Sequence, residues 1–519
     1  MRATFFRVAI AVTALAHLIA AAAGPSTPQF HLSLVGDGSG DYMLDWVTSI
    51  DQTSSTVYYG AAKTSLSNKA VGASAGNVVV TADLSVQCWN ARLSGVNGTV
   101  YYDLAATAGP TAQSFAAVSP TSMTWAIFGD MGSIALKKAS GISLPALKQG
   151  LTANAFQGIL NIGDLGYELV DANGNVYMEQ LESITSVVPM HTTIGNHEMQ
   201  YAAMGAMKNY LARFAGQING AGAASGSASN RFYSFNAGLI HFVVIDTEVY
   251  GDEAFLTPGA DGTWSPSEAA RAKMQDDQKN WLEYDLSHVK RKATPYVVLC
   301  GHRPPSKIPT SVTKPGNQFA AQVLPLLDLY KVDLMFFGHE HAYYSVDAAA
   351  VGKYTLPPFI ITGAAGNNEF IRPIALVSMD PVFKVRKNIN QYGYGYLKAT
   401  PEKLAWTWGQ TATDSPNGAS PTSTNWALMD SIDFLNKNVA DPTPTGKPLK
   451  DPVTGAPQTT SAASNNNGTP AGSEKATPAP AAVAPGATPG TTTKSAASSN
   501  AHLSLAAAMC AAAALAAWM

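Results

Sequence analysis

The sequence predicts an α/β protein in which an all-β sandwich precedes a larger α/β sandwich. Three observations predict it. Between Pro28 and Ser119, short segments alternate apolar and polar residues and are separated by turns, with no helical period. From Thr124 onward, near-continuous apolar runs end in Gly followed by Asp, Asn or His, and helical stretches lie between them. After Val439 the chain turns to Pro, Thr, Ala, Ser and Asn.

The 519 residues are ample for more than one domain. Net charge is −3 and charged residues make up 13%, which gives no broad basic surface for nucleic acid. Arg2 and Arg7 precede an apolar run from Val8 to Ala22 that ends in small residues before Gly24, so residues 1–23 read as a cleaved signal peptide. Leu503 to Met519 is an uncharged apolar tail preceded by Ser495-Ala496-Ala497-Ser498-Ser499-Asn500. Small residues, a spacer and an apolar end read as a GPI-type attachment signal over 502–519. A tail-anchored helix is the alternative, but the 17 residues are marginal for a bilayer.

Within the sandwich, assigned to 24–120, the expected strands are Phe30–Leu34, Met43–Val47, Thr56–Gly60, Val78–Val80 and Val100–Leu104. Their number and spacing suit a β-sandwich without a catalytic constellation of its own. Cys88 falls there and Cys300 in the second part, so two buried free thiols are expected rather than a disulfide framework. Asn97 and Asn467 open glycosylation sequons, in keeping with a secretory route. Residues 439–501 cannot bury enough apolar area to offset chain entropy and read as a disordered stalk.

The chemistry lies in 121–438. Five apolar runs deliver Gly129-Asp130, Gly163-Asp164, Gly195-Asn196-His197, Gly301-His302 and Gly338-His339-Glu340-His341. The first three lie roughly 30 residues apart, the length of a βαβ unit. Polar residues at the carboxyl ends of such strands converge on one rim. Singly, a Gly-Asp pair is usually a turn and a lone His usually a core residue. Together they form a pattern, because each follows a Gly that ends a buried strand. Four of the eight histidines outside the two ends sit in these motifs. Carboxylate, imidazole and amide oxygen ligands suit Fe, Zn or Mn better than Ca or Mg. There are enough of them for two ions, which can clamp the attacking and leaving oxygens of an in-line displacement. No P-loop or nucleophile elbow is present.

These blocks, with Gly163-Asp164-Leu165-Gly166-Tyr167, resemble the five ordered blocks of the purple acid phosphatases, within the metallophosphoesterases. The resemblance spans roughly Pro28 to Lys437 and implies a two-sheet α/β/α catalytic sandwich behind a fibronectin type III-like domain. Phe232-Tyr233-Ser234-Phe235-Asn236 and Tyr392-Gly393-Tyr394-Gly395-Tyr396 also resemble family segments. Carried over, it implies that Asp164 bridges both metals. Asp130, Tyr167 and His341 would complete an Fe(III) site, while Asn196, His302 and His339 would bind a divalent Zn, Mn or Fe ion. His197 would hold the phosphate and help protonate the leaving alcohol. A metal-activated hydroxide would then attack small phosphate monoesters, with phosphoproteins as a further substrate class, outside the cell or at its surface.

Two departures stand out. The family's plant members carry a histidine pair after the fourth block, where this chain has Arg303-Pro304-Pro305-Ser306-Lys307-Ile308-Pro309-Thr310. Arg303 and Lys307 are therefore the candidate substrate contacts. Ala342-Tyr343-Tyr344-Ser345 also lacks the acidic and basic residues that follow the last block in plant members. A phosphodiesterase or nucleotide pyrophosphatase on the same fold is the alternative reading. A non-catalytic surface protein would predict decayed ligands, and none of the seven metal-binding positions is missing.

Overall fold

The computed structural model describes residues 25–444, apart from 82–83, 108, 110–111, 118–122, 252–254, 259–262, 306–317, 370, 372–380 and 413–425. The expected signal peptide, nearly all of the stalk, the apolar tail, Asn467 and Lys307 lie outside the described residues.

Eight strands build the N-terminal part: β1 (His31–Leu34), β2 (Tyr42–Ser49), β3 (Thr56–Gly60), β4 (Asn68–Val71), β5 (Ala73–Val79), β6 (Ser85–Leu93), β7 (Thr99–Asp103) and β8 (Gln113–Ala116). They form two four-stranded sheets ordered β1-β2-β6-β5 and β4-β3-β7-β8, every pair antiparallel. Successive strand residues point to opposite faces. Tyr42, Leu44 and Trp46 of β2 therefore meet Val57, Tyr59, Tyr102 and Phe115 inside the sandwich. Strand β6 is the longest of the eight and was not anticipated. Its Gln87, Asn90 and Arg92 interrupt the apolar pattern, although Gln87 and Asn90 are buried.

The sandwich does not keep its core to itself. On the outward face of β2, Asp45 Oδ1 accepts from Gly216 N at 2.6 Å, and Val47 packs with Cys88 and Ala212. Tyr102 donates its hydroxyl to Ser186 O at 2.7 Å, and Leu34 N donates to His191 Nε2 at 3.1 Å. Arg213, 2% exposed, donates to Gln29 Oε1. Cys88 and Cys300 are free and buried.

The second part begins with β9 (Thr124–Phe128), β10 (Gly158–Asn161) and β11 (Met190–Thr192), which are parallel. They continue through β23 (Tyr392–Ala399), β24 (Lys403–Ala412) and β25 (Ala427–Leu435) into a six-stranded sheet, β11-β10-β9-β23-β24-β25. The second sheet holds β12 (Tyr233–Ala237), β13 (Ile240–Val244), β16 (Tyr296–Cys300), β17 (Leu334–Phe337), β18 (Tyr343–Val346), β21 (Phe359–Thr362) and β22 (Val385–Ile389). Its order is β12-β13-β16-β17-β21-β18-β22. Two short hairpins, β14 (Leu256–Pro258) with β15 (Trp264–Pro266) and β19 (Ala349–Val351) with β20 (Tyr354–Leu356), stand apart.

Alternation sorts each apolar strand between two layers. Trp125 and Ile127 of β9 face the other sheet, beside Phe242, Val298 and Phe336. Ala126 and Phe128 face out toward Leu147, Met178 and Leu181 on the helices Leu144–Thr152 and Asp171–Thr185. On the far side, Val297 and Leu299 of β16 pack with Trp281 and Leu282 of the helix Glu268–Ser287. Helices thus cover both outer faces, which is why these strands read as continuous apolar runs.

Candidate metal centre

The parallel strands of both sheets end at one rim. Asp130, Asp164 and Asn196 follow β9, β10 and β11, while His302 and the pair His339 and His341 follow β16 and β17. The two sheets are tied there by Gly129 N donating to Thr362 O and Ala365 N to Gly129 O, while Asp130 N donates to Gly163 O within the first sheet. A β-carbon on Gly163, whose φ is +91°, would lie 2.5 Å from His302 Nδ1, and one on Gly195 would collide with the Asp164 carboxylate. Gly163 thus lets ligands of the two sheets approach each other, and Gly195 does the same for neighbouring loops of one sheet. Asp130, Asp164, Tyr167, Glu168 and His339 all have φ between 49° and 67°. Left-handed non-glycine residues of this kind cost roughly 1–3 kcal/mol each and cluster at functional sites.

The donor atoms form two groups. In one, Tyr167 OH lies 2.6 Å from His341 Nε2 and 3.3 Å from Asp130 Oδ1, and His341 Nε2 is 3.4 Å from Asp130 Oδ1. In the other, Asn196 Oδ1 is 2.7 Å from His339 Nδ1 and 3.1 Å from His302 Nε2. Asp164 Oδ2 lies 3.1 Å from His302 Nε2, and the Asp164, His302 and His339 donors fall within 4.8 Å of one another. Metal–ligand bonds of ~2.0–2.1 Å put neighbouring ligands about 3 Å apart, so each group fits one ion. Lone pairs and acidic protons turned on one another in a buried cluster are also what a cation would relieve.

The charges agree with that reading. Burial pushes the Asp164 carboxyl up, but His302 and His197 outweigh it and hold it below the usual range. Burial opposes the charge on His302, yet Asp164 and Asp130 lift it to about 10. Burial, with Asp130 and Asp164, raises the Tyr167 phenol well above its ordinary value, so only a strongly acidic cation would bind it as phenolate.

His197 stands beside these groups. Its backbone N donates to Asp164 Oδ1 at 2.8 Å, Nδ1 lies 2.9 Å from Glu168 Oε1, and Nε2 is 3.9 Å from Asp164 Oδ2. The Tyr167 and Tyr201 rings flank it at 4.2 and 5.5 Å. Burial lowers its basicity, but Asp164 and Glu168 raise it to about 9. The remaining described histidines do other work. His191 stacks on Phe235 at 3.6 Å, with burial taking its pKa down to about 3, and His241 joins Asp285 at 2.9 Å.

Arg303 does not stand open at the rim. It is 4% exposed, donates from Nε to Glu248 Oε2 at 2.8 Å, and places Nη1 3.2 Å from His339 Nε2. Asn97 is exposed, as a glycosylation acceptor needs to be. Sequence reasoning missed Glu168, Thr247 and Glu248. Thr247 Oγ1 accepts from the backbone N of His302 and of Arg303 at 3.0 and 2.7 Å. The signal was present: Ile240 to Ile245 is one more apolar run that ends in polar residues, Asp246-Thr247-Glu248. Glu198 was quoted only as part of a motif; its carboxylate accepts from Asp164 N, Leu165 N and Gly195 N.

Residues 123–343 match the family model of the calcineurin-like phosphoesterases. The chain carries a calcineurin-like phosphoesterase domain. Its relatives are acid phosphatases. It is 30% identical to acid phosphatase type 7 of Mus musculus over 298 residues, covering 52% of this chain and 60% of that protein. It is 25% identical to purple acid phosphatase 18 of Arabidopsis thaliana over 393 residues, 75% of this chain and 82% of the relative. The chain thus spans less than two thirds of the mouse protein's length. Among solved structures, the fold matches a purple acid phosphatase from yellow lupin seeds with a TM-score of 0.53 and 17% identity, covering 81% and 77% of the two chains.

Proposed function

We propose that this protein is an acid phosphatase, a phosphoric monoester hydrolase with a binuclear Fe(III)–M(II) centre in which M is Zn, Mn or Fe. One observation carries the reading: two donor groups, Asp130/Tyr167/His341 and Asn196/His302/His339, stand at one rim with Asp164 alongside. Two ions held there would supply a hydroxide nucleophile from water and charge to stabilise an in-line phosphoryl transfer.

The chain's own residues do the rest. Glu168 accepts at Nδ1 of His197 and fixes the ring so that Nε2 faces the Asp164 side of the site. From there His197 gives its proton to the ester oxygen as the P–O bond breaks. Glu198 ties the Asp164 and Gly195 backbones together, so the Asp164 carboxylate and the Asn196 amide, which would hold the ions, keep their spacing. The proposal includes secretion and a GPI-anchored place at the cell surface, supported by the apolar segments at the two ends. Among the described residues, no helix is long and apolar enough to cross a membrane. The partners are small phosphate esters and phosphoproteins, and the sandwich is the counterpart of a fibronectin type III-like domain.

The deciding experiment combines metal analysis, the visible spectrum and turnover of p-nitrophenyl phosphate against its bis ester. Asp164→Ala is expected to lose metal and at least 10³-fold in kcat, and Tyr167→Phe to lose the charge-transfer colour. An active Asp164→Ala variant, or a colour that survives Tyr167→Phe, overturns the metal assignment. Faster turnover of the bis ester overturns the monoester reading.

A further inference from the structure

A histidine that binds a metal through one ring nitrogen usually donates its other N–H to a carboxylate, a carbonyl or water. His302 obeys this: Nδ1 lies 2.9 Å from Ile162 O while Nε2 faces Asn196 Oδ1 and Asp164 Oδ2. His339 does not. Its Nδ1 faces Asn196 Oδ1 at 2.7 Å, and its Nε2 meets Arg303 Nη1 at 3.2 Å. A guanidinium offers donors only and stays protonated. Nor is this one a loose neighbour. Arg303 and Glu248 are each 4% exposed and joined at 2.8 Å, and Thr247 Oγ1 holds the Arg303 backbone at 2.7 Å.

His339 therefore accepts at Nε2 and carries its proton on Nδ1, the nitrogen that faces the other donors. An ion bound at Nδ1 leaves a neutral ring with Nε2–H opposite Nη1–H, donor against donor. Relief requires moving a buried arginine away from its carboxylate.

The geometry points to Arg303, anchored by Glu248, as a positioning residue that weakens the Asn196/His302/His339 half of the centre and keeps its ion exchangeable. This rests on the two-metal reading above. The Asp130/Tyr167/His341 half then holds its ion more tightly.

The test is calorimetric titration of the chelator-stripped full chain with Zn²⁺. Wild type takes up two ions with unequal affinity. Arg303→Gln offers an amide oxygen that accepts from Nε2–H, and tightens the weaker step roughly tenfold while leaving the stronger within about twofold. Arg303→Met removes the donor without adding an acceptor and tightens the weaker step about threefold. Arg303→Lys keeps a cationic donor and titrates like wild type. If circular dichroism shows that Arg303→Gln does not fold, Arg303→Met carries the test. A weaker step that is unchanged or loosened in the folded Gln or Met variant overturns the inference while two ions still bind. A wild-type chain that binds one Zn²⁺ or none overturns the two-metal reading itself.

Discussion

Glu168 has a φ of 63° and receives His197 Nδ1 at 2.9 Å. Burial works against the imidazolium, but Asp164 first and then Glu168 raise its pKa to about 9. A raised pKa keeps the proton on His197 through acid and neutral pH, and catalysis that needs it declines as pH climbs toward that value. Ions on Asp164 would cancel part of its pull, so the alkaline limb of kcat is expected below about pH 9. Glu168→Gln removes one carboxylate and is expected to move that limb down by about one pH unit, equivalent to ~1.4 kcal/mol. A kcat–pH profile with an unmoved limb removes Glu168 from this role. At Gly195 the constraint is steric, since a β-carbon there would strike the Asp164 carboxylate and its backbone N. Gly195→Ala is expected to cost about 1–3 kcal/mol in a denaturant melt and to lose bound metal; full metal content would show that the close approach is dispensable.

At the scale of elements, each site strand has two duties divided by side-chain alternation. In β9, Trp125 and Ile127 join the sheets, Ala126 and Phe128 seat the helices, and the chain then turns at Gly129 to present Asp130. Trp125 is fully buried against Phe235 and Phe242, with ring centroids 5.6 and 5.1 Å away. Trp125→Ala is expected to cost about 3–5 kcal/mol of stability, read from urea melts. Asp130, Asp164, Tyr167, Glu168 and His339 are all left-handed, a strain that the chain carries at the rim. Bound ions would offset it, so chelation is expected to lower Tm, by the equivalent of ~4 kcal/mol if the ions are present at about 1,000 times their Kd. An unchanged melt after verified metal removal contradicts that coupling.

At the scale of the whole molecule, the sandwich and the α/β part are expected to melt together. Phe30, Leu32, Leu44 and Tyr102 share one apolar cluster with Trp125, Phe235 and Phe242. Polar ties at the joint, such as Tyr102 to Ser186 O and Asp45 to Gly216 N, are themselves buried. Leu44→Ala, in the sandwich core, is expected to cost about 2–5 kcal/mol and to shift a single calorimetric transition that also carries the loss of activity. Two separated transitions would show that the sandwich folds on its own terms.

Much of the site was legible because its grammar is local. A buried strand must end in a residue that lets the chain turn, and Gly before Asp, Asn or His marks both the turn and the ligand. Local alternation likewise supplied the first sandwich strands, and the placing of Cys88 and Cys300 in different parts of the chain supplied their free, buried state. Strand β6 was missed because Gln87 and Asn90 are buried against other parts of the chain, which no local period records. The depth of Arg303, and the pairing of Glu168 with His197 and of Thr247 with His302, were decided by tertiary structure. These contacts join side chains on separate strands and loops, and their geometry depends on how the two sheets meet at the rim. The sequence by itself determined which residues could hold metal; only the packing of the two sheets decided which donors meet and what stands behind them.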